Sequence, residues 1–277
     1  MLQMLQRIIP STGEAIPVTG IGTWKRFDVN KDSPEREDLK QVLTLIHQHK
    51  ATLIDSSPMY GKSEQVIGEL THELGLADKF FYATKVWTSG KNAGTKQMKE
   101  SMQKMKRSVM DLMQIHNLVD WQTHLKTLRQ WKTEGTIRYI GITHYTTSSH
   151  AQLEQIIERE TVDFVQFNYS IATRNAEKRL LSSAMDKGVA VIINEPLEKG
   201  QLFEKVGTKS LPSWAAEYDI QTWAGFFLKY IISHPAVTCI IPATSNPAHV
   251  KDNLMAGEGV MPDEKGRKKM AQYFDDL

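Results

Sequence analysis

The chain has a single cysteine, so no internal disulfide can form. Cys239 lies in the apolar run Val237-Thr238-Cys239-Ile240-Ile241, where a buried, inert thiol is expected. An excess of either charge is also missing: 34 Lys and Arg stand against 32 Asp and Glu, a net charge of +2. So weak a field offers no broad surface to nucleic acid or to an anionic membrane. No apolar run approaches the ~20 residues that span a bilayer. The longest, Trp223 to Ile232, is interrupted by Lys229 and reads as a core-facing helix. Met1 to Pro10 has neither a basic start with an unbroken apolar stretch nor a small-residue cleavage site, so a cytoplasmic protein is expected. Absent too are a phosphate-loop lysine motif, paired cysteines for zinc and a glycine-flanked serine elbow. Gly20-Ile21-Gly22-Thr23-Trp24-Lys25 lacks the third glycine and the following acidic residue of a Rossmann fingerprint. His47 and His49 stand too close in a helix to share a face, which argues for a polar helix end over a metal site.

What is present is the composition of a globular protein: 277 residues, 40% apolar and 24% charged, with 17 Gly and 10 Pro. Barrels of alternating strand and helix occupy ~250 residues as one unit, so a single domain over residues 1–277 is expected. Gln6 to Ile9 and Ala15 to Val18, around Ser11-Thr12-Gly13-Glu14, read as a hairpin ahead of the main repeat. Eight strands then follow: Gly20 to Thr23, Thr52 to Ile54, Phe80 to Lys85, Leu112 to Ile115, Tyr139 to Ile142, Phe164 to Phe167, Val189 to Ile193 and Thr238 to Ile241. Helical patterns separate them at Pro34 to Lys50, Ser63 to Leu74, Thr95 to Val109, Gln122 to Glu134, Ser148 to Arg159, Asn175 to Lys187 and Ser213 to Ser233. Ser33-Pro34 is a helix start, and Gly75, Gly135 and Gly188 each follow a helix end. The methionines and lysines from Lys96 to Lys106 read as a packed face beneath a solvated basic one. The β-then-α order predicts an α/β fold, a (β/α)8 TIM barrel preceded by an N-terminal β-hairpin. Leu197 to Pro212 is longer than an ordinary connection, as functional loops often are.

Four polar side chains stand just after apolar strands: Asp55 and Tyr60 in Leu53-Ile54-Asp55-Ser56-Ser57-Pro58-Met59-Tyr60-Gly61, Lys85 in Ala83-Thr84-Lys85-Val86-Trp87, and His116 in Met113-Gln114-Ile115-His116-Asn117. Singly, each reads as a structural polar residue. A barrel gathers such strand ends at its C-terminal mouth, where active sites are built, so together they favour chemistry. The segment Leu53 to Gly68, with Asp55, Tyr60, Gly61, Ser63, Glu64 and Gly68 in order, resembles the aldo-keto reductase signature. Lys85 and His116 match that family's remaining catalytic positions. The resemblance extends over nearly the whole chain, through Gly20 to Trp24, Arg138 to Thr143, Pro196-Leu197 with Gly200, and Ile241-Pro242 through Asn253.

The resemblance implies reduction of an aldehyde or ketone with NADPH, or with NADH, and a protein that works as a monomer on a small-molecule carbonyl. A carbonyl that accepts hydride develops negative charge on oxygen and needs a donor aimed there. Tyr60 is the implied proton donor. Lys85 would lower its pKa, Asp55 would hold Lys85, and His116 would orient the carbonyl. Trp24 and Trp87 would be apolar walls for the substrate. For the cofactor the resemblance implies Gly22, Thr23 and Trp24, with Thr143, His144, Gln166 and Asn194 at the nicotinamide. It further implies Pro196, Leu197 and Gly200 along the loop, and Thr244, Ser245, His249 and Asn253 at the adenosine end. The sequence departs from the family at Thr143-His144, where Ser-Asn is common, and at Asn194, where a stacking tyrosine is common. It also departs at Ala243 and His249, where a lysine and an arginine often grip a 2'-phosphate. A second reading of the same barrel is a non-catalytic nicotinamide-binding redox sensor or partner-binding subunit.

Overall fold

The computed structural model describes residues 3–277; Met1 and Leu2, part of the opening segment and of the expected domain, lie outside the described residues. The expected hairpin is present as β1 (Gln6–Ile8) antiparallel to β2 (Ala15–Pro17). Eight parallel strands follow: β3 (Ile21–Gly22), β4 (Leu53–Asp55), β5 (Phe81–Val86), β6 (Met110–His116), β7 (Ile137–Thr143), β8 (Phe164–Asn168), β9 (Ala190–Asn194) and β10 (Cys239–Ile240). Each pairs with the next in the chain, so the sheet runs in simple order from β3 to β10. The ring closes where the Gly20 N–H donates to the Ile240 carbonyl at 2.8 Å and Thr19 and Gly22 lie beside Ile240 and Ala243. A Cβ on Gly22 would stand 2.8 Å from the Ile241 carbonyl oxygen, so this seam requires glycine.

The outer layer comprises α1 (Glu35–Gln48), α2 (Ser63–Glu73), α3 (Lys91–Lys104), α4 (Trp121–Thr133), α5 (His150–Arg159), α6 (Leu180–Asp186), α7 (Gln201–Val206), α8 (Trp223–Ile232), α9 (Pro247–Met255) and α10 (Glu264–Asp275). Alternating side chains of the strands feed two cores. Leu53, Phe81, Leu112, Tyr139, Phe164 and Ile192 fill the barrel interior together with Ile9 and Ile16, so the hairpin region supplies its floor. The other set packs outward against the helices, Met98, Met102 and Met105 of the expected α3 face among them. Gly75, Gly135 and Gly188 all take positive φ after their helices, as expected. Cys239 is buried, also as expected.

Several boundaries differ from the sequence reading. Ser213 to Ser233 is two pieces: a 3-10 segment Ser213–Tyr218 ends at Asp219 with φ +56°, and α8 starts afresh where the Thr222 hydroxyl caps the Gly225 N–H at 3.0 Å. The polar residues at the break, Glu217, Asp219, Gln221 and Thr222, fit a solvent-facing helical turn as well as a loop, so spacing alone did not show it. Asn175 to Lys187 likewise breaks at Arg179. The helix expected over Thr95 to Val109 is α3, shifted to Lys91–Lys104 because the chain must turn before β6 begins at Met110. Ser33 does not cap α1 in full; its hydroxyl accepts only the Glu35 N–H at 3.3 Å. The long connection after Leu197 contains α7, and Lys229 of the apolar α8 is buried, its ammonium donating to the Tyr218 and Val260 carbonyls at 2.6 and 3.0 Å.

Candidate active site

Parallel register sets the site. Gly22 pairs with Asp55, Lys85 with Gln114, His116 with Thr143, and Thr143 with Gln166, so polar residues near the ends of successive strands become neighbours at one end of the ring. Lys85 is fully buried, and its ammonium donates to Asp55 Oδ2 and, at 2.7 Å, to the Ser56 carbonyl. Asp55 Oδ1 accepts from Gln114 Nε2 at 2.8 Å and from Gln166 Nε2 at 3.0 Å. The carboxylate is thus held on both oxygens. Gln114 was not singled out in the sequence, where it is one polar residue inside an apolar strand. A Cβ on Gly141, its partner in β7, would come 2.7 Å from Gln114 Cγ, so the absence of a side chain there makes room for it.

Tyr60 follows β4 on a loop, and the Lys85 ammonium lies 5.2 Å from its ring centre. Its ring meets that of His116 edge to face at 5.9 Å. All four expected catalytic residues are therefore brought together. The direction of the Tyr60 pKa differs from the sequence expectation: burial raises it, Lys85 opposes that rise, and the net shift is upward. The ammonium limits the rise without reversing it, because burial is the larger effect and Asp55 and Glu195 add negative charge nearby. Burial pulls the Lys85 ammonium down, but Asp55 first and then Tyr60 outweigh it, and Lys85 is held above its ordinary value. Burial, with Lys85 and His144 adding to it, depresses the His116 imidazole to about 2.

Beside this group stand the residues expected at the nicotinamide. The Thr143 hydroxyl donates to Gln166 Oε1 at 3.3 Å, and Asn194 Nδ2 donates to the His144 carbonyl at 3.2 Å. Asn194 Oδ1 is buried and has no hydrogen-bond partner among the described residues. His144 Nδ1 accepts the backbone N–H groups of Tyr145 and Thr146 at 3.0 and 3.2 Å, which leaves the ring proton on Nε2. Thr23 is buried with its hydroxyl engaged by the Asp55 carbonyl and Ser56, whereas Trp24 and Trp87 are exposed. Lys25 and Lys199 reach over the Trp24 ring, at 4.6 and 5.5 Å from its centre. Pro196, Leu197 and Gly200 lie on the loop after β9, where Glu195, Glu198 and Lys199 as well as Gly200 take positive φ. At the far end, Thr244 and Asn253 line a narrow cleft with Gly20 and Ile21. Ser245 is half-buried and His249 is exposed at the start of α9, which Asn246 caps through the Ala248 N–H at 2.9 Å. Among the described residues there is no cluster of potential metal ligands, and no helix is long and apolar enough to cross a membrane.

A barrel whose C-terminal mouth encloses a carboxylate, an ammonium, a phenol and an imidazole has the layout of a barrel enzyme. The chain belongs to the aldo/keto reductase family, whose family model matches residues 19–268 and whose members are NAD(P)H-dependent oxidoreductases. It is 26% identical over 250 residues to methylglyoxal reductase DkgB of Yersinia pestis, covering 87% of each chain. It is 23% identical over 213 residues to aldo-keto reductase YhdN of Bacillus subtilis, covering 72% of this chain and 63% of that relative's length. The fold matches an aldo/keto reductase from Klebsiella pneumoniae, solved in complex with NADP and acetate, with a TM-score of 0.82 at 23% identity over 99% of this chain and 96% of that one.

Proposed function

We propose that the chain reduces an aldehyde or ketone to the alcohol, with Tyr60 as proton donor and a nicotinamide cofactor as hydride source. The observation that carries this reading is the convergence of Tyr60, Lys85 bonded to Asp55, and His116 at one strand-end cluster. The raised pKa suits the role, since the phenol keeps its proton at neutral pH and can deliver it. Lys85 stabilises the phenolate left behind, and Asp55, fixed by Gln114 and Gln166, keeps Lys85 beneath the ring. His116, neutral because of its burial, orients the carbonyl oxygen by a hydrogen bond.

The residues present fit a nicotinamide carboxamide. Asn194 Oδ1 is a buried acceptor without a partner, as an amide N–H requires, and the free His144 Nε2–H is a donor beside it. Thr143 and Gln166 complete that set; Gly22, Thr23, Trp24, Pro196, Leu197 and Gly200 would flank the dinucleotide, and Thr244, Ser245, His249 and Asn253 would hold its adenosine end. Bound there in reduced form, the cofactor supplies the hydride. NADPH is the proposed partner, with NADH discriminated against only weakly, because α9 offers its N-terminus and His249, while Ala243 and His249 stand where a lysine and an arginine would clamp a 2'-phosphate. The Yersinia pestis relative makes methylglyoxal, a small dicarbonyl, the first substrate to assay. The test is turnover of an aldehyde and ketone panel with each cofactor, alongside fluorescence titration of cofactor binding. Turnover of at least one carbonyl is expected; tight cofactor binding with none turned over would overturn the catalytic reading in favour of a nicotinamide-binding sensor.

A further inference from the structure

His116 has one hydrogen-bonding arrangement that leaves no buried group unpaired, and a serine outside the proposed catalytic set determines it. His116 Nδ1 lies 2.9 Å from Ser57 Oγ, and both residues are buried. Ser57 Oγ also accepts the Met59 backbone N–H at 3.3 Å, and the hydroxyl has no other hydrogen-bond partner among the described residues. A hydroxyl carries one proton and two lone pairs. If Nδ1 bore the ring proton, both contacts would be donations into Oγ, and the Ser57 proton would be enclosed with nothing to receive it. Buried polar groups avoid that state. If Nδ1 is instead the acceptor, Ser57 donates to it, Met59 donates to Ser57, and every group is paired. The ring proton then sits on Nε2, which makes no hydrogen bond among the described residues and is not one of their enclosed unpartnered atoms.

We infer that Ser57 is a positioning residue whose hydroxyl locks His116 as the Nε2–H tautomer, making the imidazole a hydrogen-bond donor, not an acceptor, toward the substrate oxygen. The inference rests on the proposed placement of His116 at that oxygen. The depressed basicity of His116 supports it, since a ring that stays neutral can donate from one nitrogen only, and which one decides its use. With the other tautomer, the nitrogen open to the site would present a lone pair to a carbonyl oxygen gaining negative charge, which is repulsive. Tyr60 O–H and His116 Nε2–H then both donate to the substrate oxygen.

The test uses the whole chain with 15N-labelled histidine and long-range proton–nitrogen correlation spectra at neutral pH; the His116→Phe spectrum identifies the His116 signals by their loss. The wild-type ring is expected to show an unprotonated Nδ1 and a protonated Nε2. Ser57→Ala should give a mixture of tautomers and a kcat/KM for carbonyl reduction lower by about tenfold, the loss of roughly one hydrogen bond, with the cofactor Kd unchanged. Ser57→Thr, which keeps the hydroxyl, should restore the single tautomer. A protonated Nδ1 in the wild type would overturn the inference, as would a Ser57→Ala variant that keeps both the Nε2–H pattern and wild-type kcat/KM. The catalytic placement fails separately: wild-type turnover in His116→Phe would refute the role of His116 and, with it, the catalytic half of the inference, whatever the spectra give.

Discussion

An ammonium sealed from water persists only where charge and hydrogen bonds replace its hydration, and Lys85 has both in Asp55 and the Ser56 carbonyl. That arrangement gives the tetrad distinct parts that single substitutions should separate. Tyr60→Phe removes the proposed proton donor while sparing the ring and its edge contact with His116. Turnover in the reductive direction should fall by ~100-fold or more with cofactor Kd nearly unchanged, measured by steady-state kinetics and fluorescence titration. Lys85→Met acts on the phenol through charge. Burial already raises the Tyr60 pKa and Lys85 is what opposes it, so loss of the ammonium must raise it further. The alkaline limb of kcat/KM for reduction should therefore move to higher pH, at a reduced rate; an unmoved limb would dismiss Lys85 as the group that tunes Tyr60. The same variant leaves Asp55 buried with only Gln114 and Gln166, and should lose ~3 to 5 kcal/mol of stability to urea.

At the scale of elements, α9 is where the proposed cofactor choice would be expressed. Its first turn is well made, with Asn246 as cap and Pro247 behind it, and its free N–H groups favour an anion. Ala243 and His249, both exposed, supply no permanent charge there. His249→Arg should tighten NADPH binding by ~10-fold, since a charge-assisted hydrogen bond is worth about 1.5 to 3 kcal/mol. NADH, which lacks the 2'-phosphate, should bind as before. Titration of both cofactors against both proteins decides it: equal tightening for the two would place residue 249 away from the 2'-phosphate. The opposite end of the barrel is built for rigidity. Arg7 of β1 donates to the Ile232 and His234 carbonyls at 2.7 and 2.6 Å, so the hairpin fastens the C-terminal end of α8 and holds the floor residues in place.

For the molecule as a whole, histidines shielded from water in part or in full set the response to acid. His116 is held down to about 2 and His234 to about 4, chiefly by burial, so both stay neutral in the folded chain at a pH where the unfolded chain protonates them. A depressed basic group contributes stability that is present above its unfolded pKa and is lost as pH falls below it. Glu64, whose pKa burial raises, works in the opposite sense. Burial lowers His144 and His150 as well, so the histidine protons outweigh the one on Glu64: stability to urea should decline by at least about 1 kcal/mol per pH unit between pH 6 and pH 5. A level or rising stability over that interval would contradict the assigned burial of these rings.

The sequence by itself determined the strand count, the hairpin, the parallel order and the four residues near strand ends, because each rests on local pattern: β-branched runs, helical spacing, glycine after helices, and polar groups at the C-terminal ends of apolar strands. It missed the breaks at Asp219 and Arg179, where polar residues such as Glu177-Lys178-Arg179 and Glu217, Asp219 and Gln221 suit an exposed helical turn as well as a change of backbone direction. Only the tertiary structure decided what those side chains do to one another. Gln114 is legible as a buried bridge to Asp55 only once closure of the ring defines the interior and Gly141 vacates the space beside it. The direction of the Tyr60 pKa follows from a contest between burial and Lys85, and a sequence lists the charges without their depths. Ser57 is one more polar residue between Asp55 and Tyr60 until β6 brings His116 within 2.9 Å of it. Pattern along the chain fixes which groups reach the mouth; distance and burial, which are properties of the closed ring, fix their protonation and their partners.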